Sequence, residues 1–203
     1  TPTPEIEDQA QVIRRRYGMR LVLFVGILRY YKGVKYLLEA MRDVNGTLLI
    51  VGEGPLLGDL MKQAADLPYR DRIQFLGQVD DVAPYYFASD VFCLPSIYRS
   101  EAFGIVLIEA AASGLPLVST EIGTGTSYVN LHEKTGLVVP PENPKALAEA
   151  LTRLLDSTEL RLQYGAEARQ RARELFSQER MVQGVLSVYE EVLGRSLGLD
   201  MEQ

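Results

Sequence analysis

Two glutamates with seven residues between them stand out in the stretch EAFGIVLIE, residues 101–109. A glycine and otherwise apolar residues separate Glu101 from Glu109, so burial of this run would draw both carboxylates toward an interior where unpaired charge is costly. Eight residues of helix would put the two side chains about 12 Å apart along the axis. Hydrolytic carboxylate pairs lie about 5–10 Å apart across the scissile bond. The spacing therefore argues against a hydrolytic pair.

The two glutamates instead suit two hydroxyl-binding positions on either side of an anion site. A helix is predicted to begin near Phe103 or Gly104, which leaves Glu101 in a loop and places Glu109 within the helix. The free N–H groups of the first helical turn, at about Gly104 to Val106, attract anions. Sugar hydroxyls, diphosphate and ribose hydroxyls follow in this order in a nucleoside diphosphate sugar. The spacing alone is equally consistent with a solvated Glu101 and a Glu109 paired with a cation.

Two cations, Arg29 and Lys32, follow an apolar run in the loop GILRYYKG, residues 26–33. Arginine offers a planar fork and lysine a point charge, and together they suit a diphosphate. They and the helix dipole would offset the repulsion between a diphosphate and the glutamates. The alternative is a pair of solvated surface cations. The loop matches neither a Walker A motif nor a GxGxxG fingerprint.

The elements that must position these residues alternate along the chain between short apolar strands and amphipathic helices. Strands are predicted at 21–28, 46–55, 72–79, 91–96, 116–120 and 135–141, and helices at 33–44, 56–67, 80–90, 104–113, 143–157, 159–175 and 178–193. This alternation predicts an α/β fold, a doubly wound parallel sheet with helices on both faces. Ligands bind such sheets beyond the carboxyl ends of the strands. The glycines that end two strands, in VGEGP and FLGQV, either let a ligand approach the backbone or are ordinary turn residues.

Composition bounds the class of protein. The chain has 203 residues, 47% of them hydrophobic, and a net charge of −6, which suits one domain with a sizeable core and argues against a nucleic-acid partner. The single cysteine, Cys93, excludes an internal disulfide and a cysteine-cluster metal site, and favours a reducing, cytoplasmic location. No apolar run approaches the roughly 20 residues of a membrane span, and the first ten residues lack signal-peptide features.

Several ordered motifs together resemble a known family, the retaining glycosyltransferases of the GT-B fold, family four, also called group 1. The resemblance covers about residues 20 to 190, and the glutamate pair with seven residues between is that family's signature. The matching stretches are GILRYYKG, VGEGP, FLGQV, SDVFCLPS, EAFGIVLIEAAASGLPLVST and TGLVVPP.

The resemblance implies a role for each matching residue. Arg29 and Lys32 would bind the diphosphate, Glu101 the hydroxyls of the donor hexose, and Glu109 the ribose hydroxyls. Glu101, Arg29 and Lys32 would be the catalytic residues. The remaining donor-binding positions would be Gly26, Gly52, Leu76 near the base, and the turn Phe103, Gly104, Ile105 and Val106. The family needs no metal or other cofactor, and its mechanism is a front-face displacement in which the departing phosphate helps to deprotonate the acceptor.

A GT-B enzyme has two Rossmann-like domains, and this chain has the features of the C-terminal, donor-binding one only. Residues 1–19 would be a linker and leading helix from the inter-domain region, 20–194 the nucleotide-sugar-binding domain, and 195–203 a frayed tail. The absent N-terminal domain would carry the acceptor, a glycan or lipid-linked molecule. It would also provide any peripheral contact with the inner face of the membrane. We expect residues 1–203 alone to bind donor without turnover.

Within the family, the chain looks most like mannosyltransferases of surface polysaccharide assembly. The stretches GILRYYKG, IGTGTSYVN and HEKTGLVVPP carry that likeness, and they favour transfer of mannose from GDP-mannose. The alternatives are a UDP-sugar-dependent transferase, a sugar-nucleotide epimerase of the same fold, and a stand-alone nucleotide-binding module without catalysis.

Overall fold

A computed structural model describes residues 2–194 and shows a six-stranded parallel sheet between helices. The predicted tail 195–203 lies outside the described residues. The strands are β1 Leu21–Val25, β2 Thr47–Val51, β3 Ile73–Gly77, β4 Val91–Leu94, β5 Leu117–Thr120 and β6 Gly136–Val139. Their spatial order is β3-β2-β1-β4-β5-β6. The predicted doubly wound, Rossmann-like α/β fold is confirmed, and each strand is shorter than the apolar run that predicted it.

The central strands read as continuous apolar runs because helices cover both faces of the sheet. Leu23 of β1 pairs with Leu49 of β2 on one side and with Phe92 of β4 on the other, and all three are fully buried. The core therefore lies around β1, β2 and β4, and it supports the loops that leave the carboxyl ends of these strands.

Nine helices surround the sheet in the described part of the chain. They are α1 Pro4–Tyr17, α2 Val34–Ala40, α3 Leu57–Ala65, α4 Ala83–Ala88, α5 Ile105–Ala112, α6 Thr126–Val129, α7 Pro144–Asp156, α8 Thr158–Leu175 and α9 Gln178–Leu193, with short 3₁₀ turns at Tyr30–Lys32 and Arg70–Arg72. Asn143 caps α7 as predicted, accepting a hydrogen bond from the Ala146 N–H at 3.0 Å. The short helix α6 was not predicted.

The strand order reverses between β1 and β4, and this reversal defines a crevice. The chain runs outward from β1 through β2 to β3, then returns to β4 and runs outward the other way. Right-handed crossovers place α2 and α3 on one face and α5 on the other, and α7 packs against α2. Such a switch point opens a ligand crevice at the carboxyl ends of the two strands, where the predicted cations and Glu101 lie.

The helices at the two ends of the chain pack differently. Helix α1 contacts α4, whereas α9 has no buried residue among those described. The apolar residues of α9 stand exposed at Met181, Val185, Val188, Tyr189, Val192 and Leu193. None of the described helices combines the length and the apolar character that a membrane span requires.

Candidate functional site

Lys32 and Glu101 form a buried ion pair where the loops after β1 and β4 meet. The Lys32 ammonium Nζ lies 2.5 Å from Glu101 Oε2, and the two residues are only 8% and 7% exposed. The Ser96 hydroxyl donates to the same carboxylate oxygen at 3.0 Å. Both described partners of Glu101 therefore bond one oxygen, and the other oxygen, Oε1, keeps its capacity to accept from a ligand.

Close backbone packing positions this pair. Gly33, with φ of +66°, lies so near β4 that a Cβ there would stand 2.0 Å from the Pro95 carbonyl oxygen. The Ile97 N–H donates to the Tyr31 carbonyl at 2.7 Å. Only glycine fits position 33, and its absent side chain lets the loop that carries Lys32 rest directly on the loop that carries Glu101.

The carboxyl end of β5 also supports the Lys32–Glu101 pair. The Thr120 hydroxyl donates to the Ser96 carbonyl, and both residues are almost wholly buried. Ser96 thus receives a bond from Thr120 through its backbone and gives one to Glu101 through its side chain. Neither residue was predicted as part of the site, because a serine or threonine at the end of a strand has no distinctive spacing.

Helix α5 begins where the sequence predicted. Gly104 has φ of +75°, and a Cβ there would stand 3.0 Å from Leu107 Cδ1. Ile105 is the first helical residue and is exposed, Val106 is half-buried, and no side chain caps the helix. Its amino end therefore carries uncapped donors and a positive partial charge. Glu101 lies before this end in a loop and Glu109 lies within the helix, as predicted.

The side chain and the backbone of Phe103 lie in different environments. Its ring packs edge-on against Phe176 at 5.8 Å between centroids. A Cβ on Gly125 would come within 2.3 Å of the Phe103 ring. The ring of Phe103 thus packs toward Phe176 and Gly125, and its backbone precedes Gly104 at the start of α5.

Glu109 has a buried partner that the sequence did not reveal. The Tyr86 hydroxyl, on α4, donates to Glu109 Oε2 at 2.8 Å. Burial, together with the charge of Glu109 and this hydrogen bond, raises the pKa of Tyr86 well above its usual value. Tyr86 therefore remains a donor, and Glu109, whose side chain is otherwise exposed, keeps Oε1 as an acceptor.

The side chains of Arg29 and Lys32 differ in exposure, although the Lys32 N–H donates to the Arg29 carbonyl at 3.0 Å. Arg29 is exposed and lines a cleft of about 340 Å³ that extends toward α3 and also includes Tyr30 and Tyr98, whose rings lie 5.8 Å apart. Lys32 and Glu101 are not among the residues that line this cleft. The two predicted cations thus leave the same loop in different environments, one buried and paired and the other exposed.

The predicted glycines pack against each other beneath the crevice. A Cβ on Gly52 would stand 2.1 Å from the Gly26 carbonyl oxygen, and a Cβ on Gly26 would stand 3.6 Å from Lys32 Nζ. Gly26 thus lies next to the buried cation, and Gly52 supports Gly26. Leu76 is half-buried near the carboxyl end of β3, the edge strand. Within residues 2–194 no three His, Cys, Asp or Glu side chains converge into a set that could hold a metal ion.

Comparison with known families gives the geometry a context. The model of the family "Glycosyl transferases group 1" matches residues 5–171, well over half of the chain. The chain belongs to the group 1 glycosyltransferases. This confirms the resemblance that the loop motifs carried, and it identifies the crevice between β1 and β4 as part of a glycosyltransferase domain.

Two curated group 1 relatives illustrate the similarity. The D-rhamnosyltransferase WbpZ of Pseudomonas aeruginosa is 46% identical over 166 residues, which cover 81% of this chain and 43% of the relative. The O-antigen chain mannosyltransferase C of Escherichia coli is 37% identical over 184 residues, covering 89% of this chain and 49% of the relative. The chain spans about half the length of the curated relatives it matches.

Solved structures agree on the fold of this glycosyltransferase domain. The Anabaena protein HepE superposes with a TM-score of 0.86 at 22% identity, covering 94% of this chain and 54% of HepE. At that identity the likeness concerns the architecture alone. Neighbours of this kind are GT-B glycosyltransferases, which confirms the predicted Rossmann-like half of a GT-B fold.

Proposed function

We propose that this glycosyltransferase domain binds a nucleoside diphosphate hexose and presents it for transfer, with retention of configuration, to a glycan or lipid-linked acceptor. The observation that carries the proposal is the buried Lys32–Glu101 pair at the switch point of the sheet. A paired lysine and glutamate next to an uncapped helix end offer a cation, an acceptor and backbone donors within one crevice. These are the groups that a sugar diphosphate requires.

The division of labour follows from the hydrogen bonds already made. The Lys32 ammonium has three donors and gives one to Glu101, so the other donors can bind diphosphate oxygens and offset the charge that develops on the leaving group. Glu101 Oε1 accepts from a hexose hydroxyl, and Glu109 Oε1 accepts from a ribose hydroxyl. Neither glutamate acts as a nucleophile, and no metal ion or other cofactor takes part.

The exposed Arg29 has a different role from Lys32 in this proposal. Its guanidinium makes no ion pair within the described residues, so it is available to a distal phosphate oxygen or to a charged part of the acceptor. The predicted role in diphosphate binding requires the exposed Arg29 and the buried Lys32 to contact one ligand. Comparing Arg29→Ala with Lys32→Met for binding of the same nucleotide therefore measures whether the two cations share one ligand.

One of the two relatives supports mannose as the sugar. The Escherichia coli relative is named for mannosyl transfer to the O-antigen chain and the Pseudomonas aeruginosa relative for D-rhamnosyl transfer. GDP-mannose is accordingly the proposed donor. The acceptor site, and any contact with the inner face of the cytoplasmic membrane, belongs in this proposal to a second domain of the kind that the longer relatives contain.

Calorimetric titration of the chain with GDP, UDP and ADP tests the proposal directly. Tightest binding of GDP, with further enthalpy from GDP-mannose, supports the mannosyl assignment. Lys32→Met should weaken nucleotide binding by about 1–3 kcal/mol because it removes a charge-assisted hydrogen bond. No binding of any of the three nucleotides at millimolar concentration would contradict a preformed donor site.

A UDP-sugar donor is the second candidate, because the Anabaena protein of the same architecture was solved in complex with UDP. A clear preference for UDP in the same titration selects this candidate and removes the mannosyl assignment. An epimerase of the same fold is distinguished by release of free nucleotide from a UDP-sugar in the absence of any acceptor.

A further inference from the structure

Tyr86 is a buried side chain whose only polar atom, the hydroxyl oxygen, contacts the Glu109 carboxylate of the proposed donor site. It is only 3% exposed, and its ring lies 5.8 Å from the ring of the fully buried Phe92 of β4. The hydroxyl emerges from this apolar packing to donate to Glu109 Oε2 at 2.8 Å. A tyrosine held this rigidly at its ring fixes the direction from which its hydroxyl approaches the carboxylate.

The arrangement supplies a donor that does not change its protonation state. Burial and the neighbouring carboxylate both disfavour the phenolate, so the pKa of Tyr86 lies far above the physiological range. Glu109, by contrast, is an exposed side chain on the surface of α5, and without a partner it would sample several rotamers. Ordering a free glutamate side chain on binding costs conformational entropy.

We propose that Tyr86 is a positioning residue for Glu109, and that through it the site selects ribose over deoxyribose in the donor nucleotide. The inference rests on the proposed function, which makes Glu109 the acceptor for a ribose hydroxyl. Tyr86 holds Oε2, so Oε1 is set in place before the ligand arrives, and the ordering cost is removed from the binding step. A ligand that lacks the matching hydroxyl leaves Oε1 without a hydrogen-bond donor, so its affinity does not gain from the preordered carboxylate.

The test compares ribose and deoxyribose ligands on the same protein. Dissociation constants are measured by calorimetry for GDP and UDP, each with its 2′-deoxy and 3′-deoxy analogues, on the wild-type chain and on Tyr86→Phe. The wild type should prefer the ribonucleotide over one of the two analogues. Tyr86→Phe should reduce that preference by about threefold to tenfold and leave the affinity of the deoxy analogue unchanged.

Two further variants separate positioning from general packing. Tyr85→Phe removes a hydroxyl from the neighbouring residue of α4, and it should retain the wild-type preference. Replacement of Tyr86 by 4-aminophenylalanine restores an N–H donor at the same ring position and should recover most of the preference. In a Glu109→Ala background, which removes both the proposed ribose acceptor and the partner of Tyr86, Tyr86→Phe should have no further effect on the preference because the pair no longer exists.

The outcomes distinguish this inference from the proposed function. If the wild type binds ribonucleotide with a preference that Tyr86→Phe leaves intact, or if Tyr86→Phe weakens both ligands equally, the positioning role is overturned and the donor site stands. If the wild type binds none of the nucleotides, the proposed function fails and takes this inference with it. If 4-aminophenylalanine restores the preference that Tyr86→Phe removes, the hydrogen bond itself is responsible.

Discussion

Lys32 and Glu101 are 69 residues apart in the chain, and their side chains meet at 2.5 Å in a buried position. An ion pair in such a place is expensive to desolvate. It is stabilised here by a third group, the Ser96 hydroxyl, and by the rigid packing of Gly33 on Pro95. The pair thus ties the loop after β1 to the loop after β4 at the point where the strand order reverses.

Replacing only one residue of this pair should destabilise the fold more than replacing both. Lys32→Met leaves a buried carboxylate without its cation, and we expect the free energy of unfolding to fall by about 3–5 kcal/mol. The double variant Lys32→Met/Glu101→Gln should recover a good part of this loss, since neither partner is then charged. Urea denaturation of the wild type, both single variants and the double variant gives the coupling energy.

An exposed ion pair provides the control for this cycle. Arg153 and Glu133 meet at 2.8 Å but are about half exposed, so solvent screens their interaction. Arg153→Met/Glu133→Gln should shift the denaturation midpoint little and show no comparable coupling. Coupling energies of similar size in the two cycles would contradict the view that burial strengthens the interaction between Lys32 and Glu101.

Gly33→Ala should be far more damaging than an alanine at another glycine of the same backbone conformation. Both Gly33 and Gly123 have positive φ, +66° and +65°, but a Cβ meets the Pro95 carbonyl oxygen at 2.0 Å in the first case and nothing within 4 Å in the second. Gly123→Ala therefore bears only the backbone cost, about 1 kcal/mol. Gly33→Ala adds a backbone clash and should lower the free energy of unfolding by about 2–4 kcal/mol. Equal losses in thermal or urea unfolding would show that the two loops are not in contact.

Ser96→Ala should affect the sugar part of the donor rather than the nucleotide. The Ser96 hydroxyl bonds Glu101, which in our proposal receives the hexose hydroxyls. We expect affinity for GDP-mannose to fall about threefold to tenfold and affinity for GDP to stay unchanged. Ser113→Ala is the matched control, because its hydroxyl bonds only the backbone carbonyl of Glu109 among the described residues. If both ligands weaken equally, Ser96 acts on the fold and not through Glu101.

The sequence predicted the sheet well because its strands are covered on both faces. Apolar runs such as residues 21–28, the first three of which end near a glycine, are sufficient to indicate parallel strands and the edge at which the loops gather. Helix α6 escaped prediction because four residues are too few for a helical periodicity to show. Helix α1 begins inside a stretch interpreted partly as linker, at Pro4 after the capping Thr3.

The candidate site was predictable only where residue type and position act together. Glu101 and Glu109 follow from their spacing around a helix start, and Lys32 from its place after a buried strand. Tyr86 and Ser96 lie on other elements, and their contacts with the glutamates depend on how α4 and β4 pack, which no local pattern encodes. The difference in exposure between Arg29 and Lys32 likewise follows the 3₁₀ turn at Tyr30–Lys32, which Arg29 precedes.

Stability should decline at alkaline pH, and two buried groups with large upward pKa shifts contribute to the decline. Burial raises the pKa of the Cys93 thiol above its ordinary value of 9.0 and that of the Tyr86 phenol above 10.0. Both groups stay protonated in the folded chain at a pH where the unfolded chain releases their protons. The folded state then binds more protons than the unfolded state, so the free energy of unfolding falls as pH rises above each ordinary value. Each group contributes a slope of about 1.4 kcal/mol per pH unit.

Two substitutions assign these slopes to their residues. Cys93→Ala should flatten the decline between about pH 9 and pH 10, and Tyr86→Phe should flatten it above pH 10. Urea denaturation at half-unit intervals from pH 8 to pH 11 measures both effects, with each variant referred to its own stability at pH 8. Because each variant is compared only with itself at pH 8, the packing cost of the substitution, which does not depend on pH, cancels. A Cys93→Ala chain that declines as steeply as the wild type below pH 10 would show that the thiol is not held protonated in the folded state.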